Sequence, residues 1–309
     1  TDGTIKYLGG LNIGTGTASI TSGTTLGSVK FSSAGGTLNI ADGATLTLSD
    51  ADGVSCTRSD GCRIQTGANK LVGEGTLNLV NGDGSSFGGE TNIAAINFGA
   101  ANGTMTFDYS GTSEVKTLTV NAAGATIVVN GGKLGLTNGF GNANTTVGGS
   151  GTLALAGDGT FSTGTGRLSN LEIGAGTVSV GGDSKFINIT YAGDGGVLDI
   201  GKTASVSGNI TVGEKNTVSG GELIVSGTSA SGKFKSGLEN LKKLTAENGA
   251  VLNFETSTQV GGASGGGLNL KNNAAAIIAA DAVLSVGGDL GDSASDSFVR
   301  GDGTLSLSN

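Results

Sequence analysis

The chain has 309 residues, with 61 glycines, no proline, no tryptophan and no histidine. The missing proline and the lack of a Gly-X-Y period exclude collagen, and periodically placed apolar residues, 36% of the total, argue against disorder. A net charge of −8 without a basic segment argues against a nucleic-acid partner, and no apolar segment is long enough to insert into a membrane.

One short unit recurs along the chain: glycines, often with Asp or Asn, are followed by an apolar–polar–apolar stretch. Alternation with period two predicts a strand, and the glycine clusters predict turns. A chain in which most residues donate a backbone N–H to a neighbouring strand has little use for proline. The unit occurs at Gly9–Gly14, Gly35–Ser49, Gly174–Gly182, Gly195–Gly201, Gly220–Gly227, Gly249–Phe254 and Gly265–Leu270.

The spacing of these units predicts how the strands are arranged. Three copies of a GxGTLxL pattern begin at Gly73, Gly149 and Gly301, at intervals that are multiples of about 19 residues. With no convincing helix between the strands, we predict an all-β parallel β-solenoid, a single elongated rod-like domain over residues 1–309. A sandwich or barrel would have longer strands, more aromatics and some proline. The residues predicted to point inward are Leu38, Leu77, Leu153, Leu198, Leu223 and Leu305.

The segment Ser231–Leu252 departs from this style. It carries Leu238, Leu241 and Leu244 with charges between them, so residues 231–250 are a possible irregular or cap-like insertion. The spacing permits a short amphipathic helix on the outside of the solenoid. The alternative of another coil is favoured, because KKLTAENGAVLNF gives two strands about a turn.

The two cysteines, Cys56 and Cys62, lie in the sequence CTRSDGC. Two thiols without histidine are too few for a zinc site, and the spacing is not that of a CxxC redox motif. We predict a disulfide that closes an exposed loop, in preference to two free thiols. Such a bond implies an oxidising compartment.

Candidates for catalysis or ligand binding are few. The sequence GDSAS at Gly291–Ser295 resembles the surroundings of a serine nucleophile, but the chain has no histidine to act as its base. The stretch Asp50–Gly53 lacks the continuation of a calcium loop. The chain has only four arginines and no paired-aspartate motif, so we predict neither an enzyme nor a cofactor.

Two further patterns were weighed for binding. Thr-x-Thr pairs raise an ice-binding function, which needs a regular threonine array, and varying coil lengths argue against one. Arg300, Gly301 and Asp302 spell the integrin-binding tripeptide, for which a chance match is favoured in so glycine-rich a chain. The threonine pairs are Thr45 and Thr47, Thr104 and Thr106, and Thr117 and Thr119.

The GxGTLxL units, the stretch GGTLNI…GATLTL at Gly35–Leu48 and the neighbouring cysteines resemble the passenger domains of bacterial autotransporters and related β-helical surface adhesins. The resemblance covers almost the whole chain. It implies a right-handed β-helix on the surface of a Gram-negative bacterium, exported after removal of a signal peptide. The sequence departs from the family's pattern in having no C-terminal translocator barrel.

Three functions compete at this point. The first is a structural protein of the cell surface or matrix that self-associates, with copies stacked head to tail in a filament, and that promotes adhesion and biofilm. The second is an adhesin for a host or surface ligand, and the third is a β-helical carbohydrate enzyme. The first is favoured, because a low-charge rod covered by Ser, Thr, Gly and Asn offers no pocket chemistry. The chain also starts and ends on strand-like sequence, which predicts either that neighbouring copies cover its ends or that it is an excised fragment of a longer passenger.

Overall fold

The computed structural model describes residues 9–49, 62–80, 85–138, 140–142, 145–161, 166–261, 267–292 and 296–307. Regular structure within these ranges consists of β-strands without a helix, and the strands pair in parallel. The predicted parallel β-solenoid is therefore confirmed, while its right-handed sense stays a prediction. Contacts divide the chain into two compact units, Thr1–Ala154 and Leu155–Asn309, and the single continuous domain also stays a prediction.

Unit 1 contains thirteen described strands and most of a fourteenth, which ends one residue beyond the unit. They are β1 (Leu11–Ile13), β2 (Thr17–Ile20), β3 (Thr24–Leu26), β4 (Val29–Phe31), β5 (Thr37–Ile40), β6 (Thr45–Leu48), β7 (Cys62–Leu79), β8 (Ser85–Phe98), β9 (Thr104–Phe107), β10 (Thr112–Val120), β11 (Thr126–Val129), β12 (Lys133–Leu136), β13 (Phe140–Asn142) and β14 (Thr146–Leu155).

Unit 2 contains the remaining described strands. They are β15 (Gly159–Phe161), β16 (Arg167–Ile173), β17 (Thr177–Val180), β18 (Ser184–Tyr191), β19 (Val197–Val206), β20 (Asn209–Val212), β21 (Thr217–Ser226), β22 (Ser231–Phe234), β23 (Leu241–Glu247), β24 (Val251–Phe254), β25 (Thr258–Val260), β26 (Gly267–Lys271), β27 (Ala275–Ile278), β28 (Val283–Val286), β29 (Leu290–Asp292), β30 (Phe298–Gly301) and β31 (Thr304–Leu307).

Each coil of the solenoid has three sides. At the beginning of unit 1, β1 pairs with β4, β2 with β5 and β3 with β6, so each strand lies on the one a full turn later. Long strands follow two sides through a bend. Strand β7 pairs with β5 at Lys70 and with β6 at Thr76. Strands β7 and β8 shift register at three places, between Arg63 and Gln65, between Thr66 and Lys70, and between Gly73 and Thr76.

The core is a column of apolar side chains inside the coils, and it contains fully buried phenylalanines besides leucine, isoleucine, valine and alanine. Five of the six leucines predicted to point inward are fully or almost fully buried, with exposures between 0% and 2%. The sixth, Leu305, pairs with the buried Leu284 and has the inward phase, but it remains partly exposed. Aromatic rings also stack between coils, with centroids 4.9 Å apart for Phe87 and Phe107.

The GxGTLxL pattern forms the same tight corner in all three copies. The first glycine has a φ of 125° at Gly73, 120° at Gly149 and 127° at Gly301, a region that side chains strongly disfavour. At each, an added Cβ would overlap the carbonyl oxygen of a residue in the adjacent coil, respectively Ile40, Val129 and Ile278. The motif therefore encodes a corner at which the backbones of two coils touch.

The segment 231–250 continues the solenoid. Strands β22 and β23 lie within it and pair with the coils on either side, so the structure has a coil there and not a helix. The three leucines that suggested an amphipathic helix, Leu238, Leu241 and Leu244, are fully buried. Their spacing reflects a corner and a strand that both face the core.

A second corner, found among the described residues of both units, places an aromatic ring over a glycine whose N–H is bound by an asparagine. In unit 2, the ring of Tyr191 lies against Gly196, whose N–H donates to Oδ1 of Asn216 over 3.0 Å. In unit 1, Phe31 lies against Gly36, whose N–H donates to Asn69 over 2.9 Å. The buried asparagines thus satisfy backbone N–H groups that would otherwise be unpaired.

Replacing Tyr191 by Phe is expected to reduce the loss of stability at alkaline pH. The Tyr191 hydroxyl donates to the carbonyl of Thr217 over 3.0 Å, and burial raises the pKa of Tyr191 far above its ordinary value of 10.0. Because the folded pKa is the higher one, this stability is complete below the unfolded pKa and falls as pH rises above it. Urea unfolding of both proteins at pH 7 and at pH 11 measures the difference.

The substitution itself is expected to cost about 1 kcal/mol at neutral pH, the net value of one hydrogen bond. Phe31 occupies the corresponding corner of unit 1, so a phenyl ring suits this geometry. An unchanged difference in stability between the two pH values would show that Tyr191 is not the group responsible.

Polar side chains form a ladder on the outside of unit 2. Asn188 donates to Oδ1 of Asn170 over 2.9 Å, and its own Oδ1 accepts from the backbone N–H of Asn209 over 2.9 Å. Ser231 then donates to Oδ1 of Asn209 over 2.8 Å. These bonds join residues 18 to 22 positions apart, so each coil is tied to the next one along the chain.

Candidate functional site: an open coil

The last described turn, formed by β29, β30 and β31, is the most distinctive surface of the described residues, and we call it the open coil. Its strands pair on one side with β26, β27 and β28 respectively. No described strand pairs with their other edge in these registers. Backbone N–H and C=O groups on that edge are therefore available to a further strand.

In the open coil, apolar side chains that point toward the core are exposed. Leu290 is 37% exposed and Leu307 is 56% exposed, although the residues they pair with, Leu268 and Val286, are fully buried. Leu305 is partly exposed, although it pairs with the fully buried Leu284. The end of the apolar core is thus uncovered among the described residues.

An aromatic residue and a cation lie on the outward face of the same coil. Phe298 is 44% exposed, and the guanidinium carbon of Arg300 lies 5.2 Å from the centroid of its ring. An arginine over an aromatic face at this distance is attracted by the ring quadrupole. The sequence interpretation missed Phe298, although its alternation with Arg300 predicts that both side chains occupy one face of a strand.

The tripeptide Arg300, Gly301 and Asp302 lies on this coil with all three residues exposed. Arg300 and Gly301 end β30, and Asp302 follows in the corner before β31. The glycine has the same conformation as Gly73 and Gly149, where the corner itself requires glycine. Its presence therefore has a structural explanation, and an adhesive role of the tripeptide stays a prediction.

The predicted disulfide falls partly outside the described residues, because Cys56 is not among them. Cys62 begins β7, where its backbone pairs with that of Ser85.

We expect non-reducing mass spectrometry with alkylation to find no free thiol of Cys56 or Cys62 in the natively produced protein. Reduction is expected to lower the free energy of unfolding by about 2 kcal/mol, the value for so short a loop. Two alkylated thiols in the unreduced protein would contradict the prediction.

Titratable groups in the described part of the chain form surface ion pairs and not a cluster. Lys243 lies 3.2 Å from a carboxylate oxygen of Glu222, which also accepts from Thr245, and Lys215 lies 2.7 Å from Asp194. No group of three or more metal-ligating side chains occurs within the described ranges. Of the nucleophile-like sequence Gly291–Ser295, only the first two residues are described, and Asp50–Gly53 lies outside the described residues.

The described residues contain no helix that is long and apolar enough to span a membrane. Comparisons of the chain with protein-family models, curated proteins and solved structures found no match.

Proposed function

We propose that this protein is an extracellular structural β-solenoid of the bacterial cell surface or matrix that acts by self-association and adhesion. The observation that carries the proposal is the open coil, where Leu290 and Leu307 point toward the core but are exposed, beside a strand edge with which no described strand pairs. An exposed strand edge beside apolar side chains pairs readily with another chain. The resemblance to autotransporter passenger domains supports the same surface location.

The outward face supports attachment and not catalysis. The described lysines and carboxylates that form ion pairs, such as Lys116 with Glu74 and Lys70 with Glu90, do so at exposed positions. Such pairs add little to stability and keep a large surface hydrated. The exposed Phe298 and Arg300 are the residues of the open coil that we propose for contact with other surfaces, because aromatic residues and arginine are enriched in interfaces.

The proposal is tested by sedimentation velocity and electron microscopy of the purified chain over a range of concentrations. We expect species larger than the monomer, with elongated particles that lengthen as concentration rises. Leu307→Asp is expected to abolish these larger species, because a charge at the exposed end of the core disfavours the packing of another apolar layer against it. Ser306→Asp is the matched control, since Ser306 is also exposed but has the outward phase of β31.

A wild-type chain that stays monomeric at the highest soluble concentration would overturn the proposal. Equal loss of assembly in Leu307→Asp and Ser306→Asp would also count against it, because the added charge alone would then explain the effect.

A further inference from the structure

One side of the coils in unit 1 has an outward surface without charge, which we call the threonine face. It is formed by β3, β6 and the last residues of β7, β8 and β10, which pair in parallel. Its side chains alternate with buried ones such as Leu46 and Leu118, and all of them are half-buried. They are Thr25, Thr45, Thr47, Thr76, Asn78, Ala95, Asn97, Thr117 and Thr119.

These side chains form a grid of two columns, in which each residue pairs directly with one of the next coil. Positions in the longer column lie 19 to 31 residues apart, so varying coil length does not break the register on this side. Strand geometry spaces the grid by about 4.8 Å across the strands and about 6.7 Å along them. The columns are Thr45, Thr76, Ala95 and Thr117, and Thr25, Thr47, Asn78, Asn97 and Thr119.

The charges of the same coils lie away from this grid. Lys70 belongs to the part of β7 that pairs with β5, on a different side of the coil, and its Nζ lies 2.8 Å from a carboxylate oxygen of Glu90. Glu74 and Lys116 precede the threonine face in β7 and β10, and they form an ion pair with each other over 2.6 Å. The face is therefore neutral although the chain as a whole is acidic.

A neutral grid that repeats in two directions indicates a partner with the same kind of repeat. Hydroxyl and amide groups both donate and accept hydrogen bonds, as water does. The oxygen atoms at the surface of an ice crystal repeat in two directions at closely similar spacings, whereas a linear glycan or peptide repeats in only one. Absence of charge also fits ice, because a charged side chain would lose its hydration against a lattice that admits no ions.

We infer that the threonine face binds ice, an activity separate from the self-association proposed above. The threonine hydroxyls and asparagine amides hydrogen-bond water molecules that continue the lattice, and the methyl groups of threonine and Ala95 lie between these contacts. Asn78, Ala95 and Asn97 replace threonine in the middle of the grid. The match to a regular threonine array is therefore incomplete, and threonine at these positions should improve it.

The test measures how the purified chain partitions into slowly growing ice beside an inert protein, at a concentration low enough to keep it monomeric. We expect the chain to be enriched in the ice fraction relative to the inert protein. Thr119→Glu should abolish this enrichment, because it places a charge within the grid. Thr112→Glu is the matched control, since Thr112 is exposed in the same strand but pairs with Lys133 on a different side of the coil.

A gain-of-function variant tests the grid itself. The double substitution Ala95→Thr and Asn97→Thr is expected to raise the fraction of the chain found in ice, because it extends the threonines of β10 by one coil in both columns. Both positions are half-buried and point outward, and β-branched residues suit such strand positions. Circular dichroism and urea unfolding establish that every variant is folded.

A wild-type chain that enters ice no more than the inert protein would overturn this inference while leaving the proposed function standing. Equal losses in Thr119→Glu and Thr112→Glu would overturn it as well, because the threonine face would not be responsible. If Thr119→Glu instead abolished self-association and the wild type did not enter ice, the face would be a contact between copies. Enrichment in ice of a chain that stays monomeric at every concentration would support the inference and remove the proposed function.

Discussion

Replacing Leu198 by Asp is expected to lower the free energy of unfolding by more than about 4 kcal/mol. Leu198 is fully buried in β19, where it pairs with Val178 on one side and Val218 on the other. The substitution loses the packing of a large side chain and places a carboxyl group among apolar neighbours with no partner. Urea unfolding followed by circular dichroism measures the change.

Leu307→Asp is the matched control, because Leu307 has the same inward phase but is 56% exposed. Its aspartate remains in contact with water, so its stability is expected to change by less than about 1 kcal/mol. Similar losses of unfolding free energy for both substitutions would mean that the inward-pointing side chains of the coils do not form a core free of water.

Gly73→Ala is expected to cost about 3 kcal/mol or more, because one methyl group meets two obstacles at this corner. The φ of 125° is unfavourable for alanine, and the added Cβ would overlap the carbonyl oxygen of Ile40. The backbone of a whole coil must move to relieve the overlap. Thermal unfolding of the variant tests the size of the loss.

Gly35→Ala separates the two causes. Gly35 has a φ of 85°, and no described atom lies within 4 Å of an added Cβ, so only the conformational cost of about 1 kcal/mol applies. If Gly73→Ala cost no more than Gly35→Ala, close contact between the coils at the GxGTLxL corner would be disproved.

The strands and their inward residues could be predicted from the sequence because two local signals agree. Period-two alternation sets the phase of a residue such as Leu38, and a glycine cluster marks where the strand ends. The uncovered state of Leu305 could not be predicted in the same way. Burial there depends on what lies against the next edge, and the alternation within β31 carries no information about it.

The argument against a regular threonine array was that varying coil length breaks the register. Strands β19 and β21 do shift register, between Ile200 and Thr203, whereas β6 pairs with β7 in unbroken register. Thr45 and Thr117 thus lie on the same side of unit 1, whereas Thr104 lies on another. Alanine and asparagine at Ala95 and Asn97 interrupt the threonine columns between them.

The open coil illustrates which part of a site can be predicted. Alternation with Arg300 predicts on which face of β30 Phe298 lies, but it does not predict that this face is exposed, so the exposure of Phe298 needed the structure. The difference between Gly73 and Gly35 also needed the structure. Many glycines in this sequence look alike, and only the contacts separate those crowded by a neighbouring coil from those in open space.

The polar ladder on unit 2 has a consequence for how the chain acquires and loses its structure. Its bonds connect residues only 18 to 22 positions apart, so a newly formed coil needs just its predecessor as a template. Folding can therefore advance directionally from one nucleus, with a short loop to close at each step. A chain that folds in this manner adds one coil at a time to the end of the solenoid that has already formed.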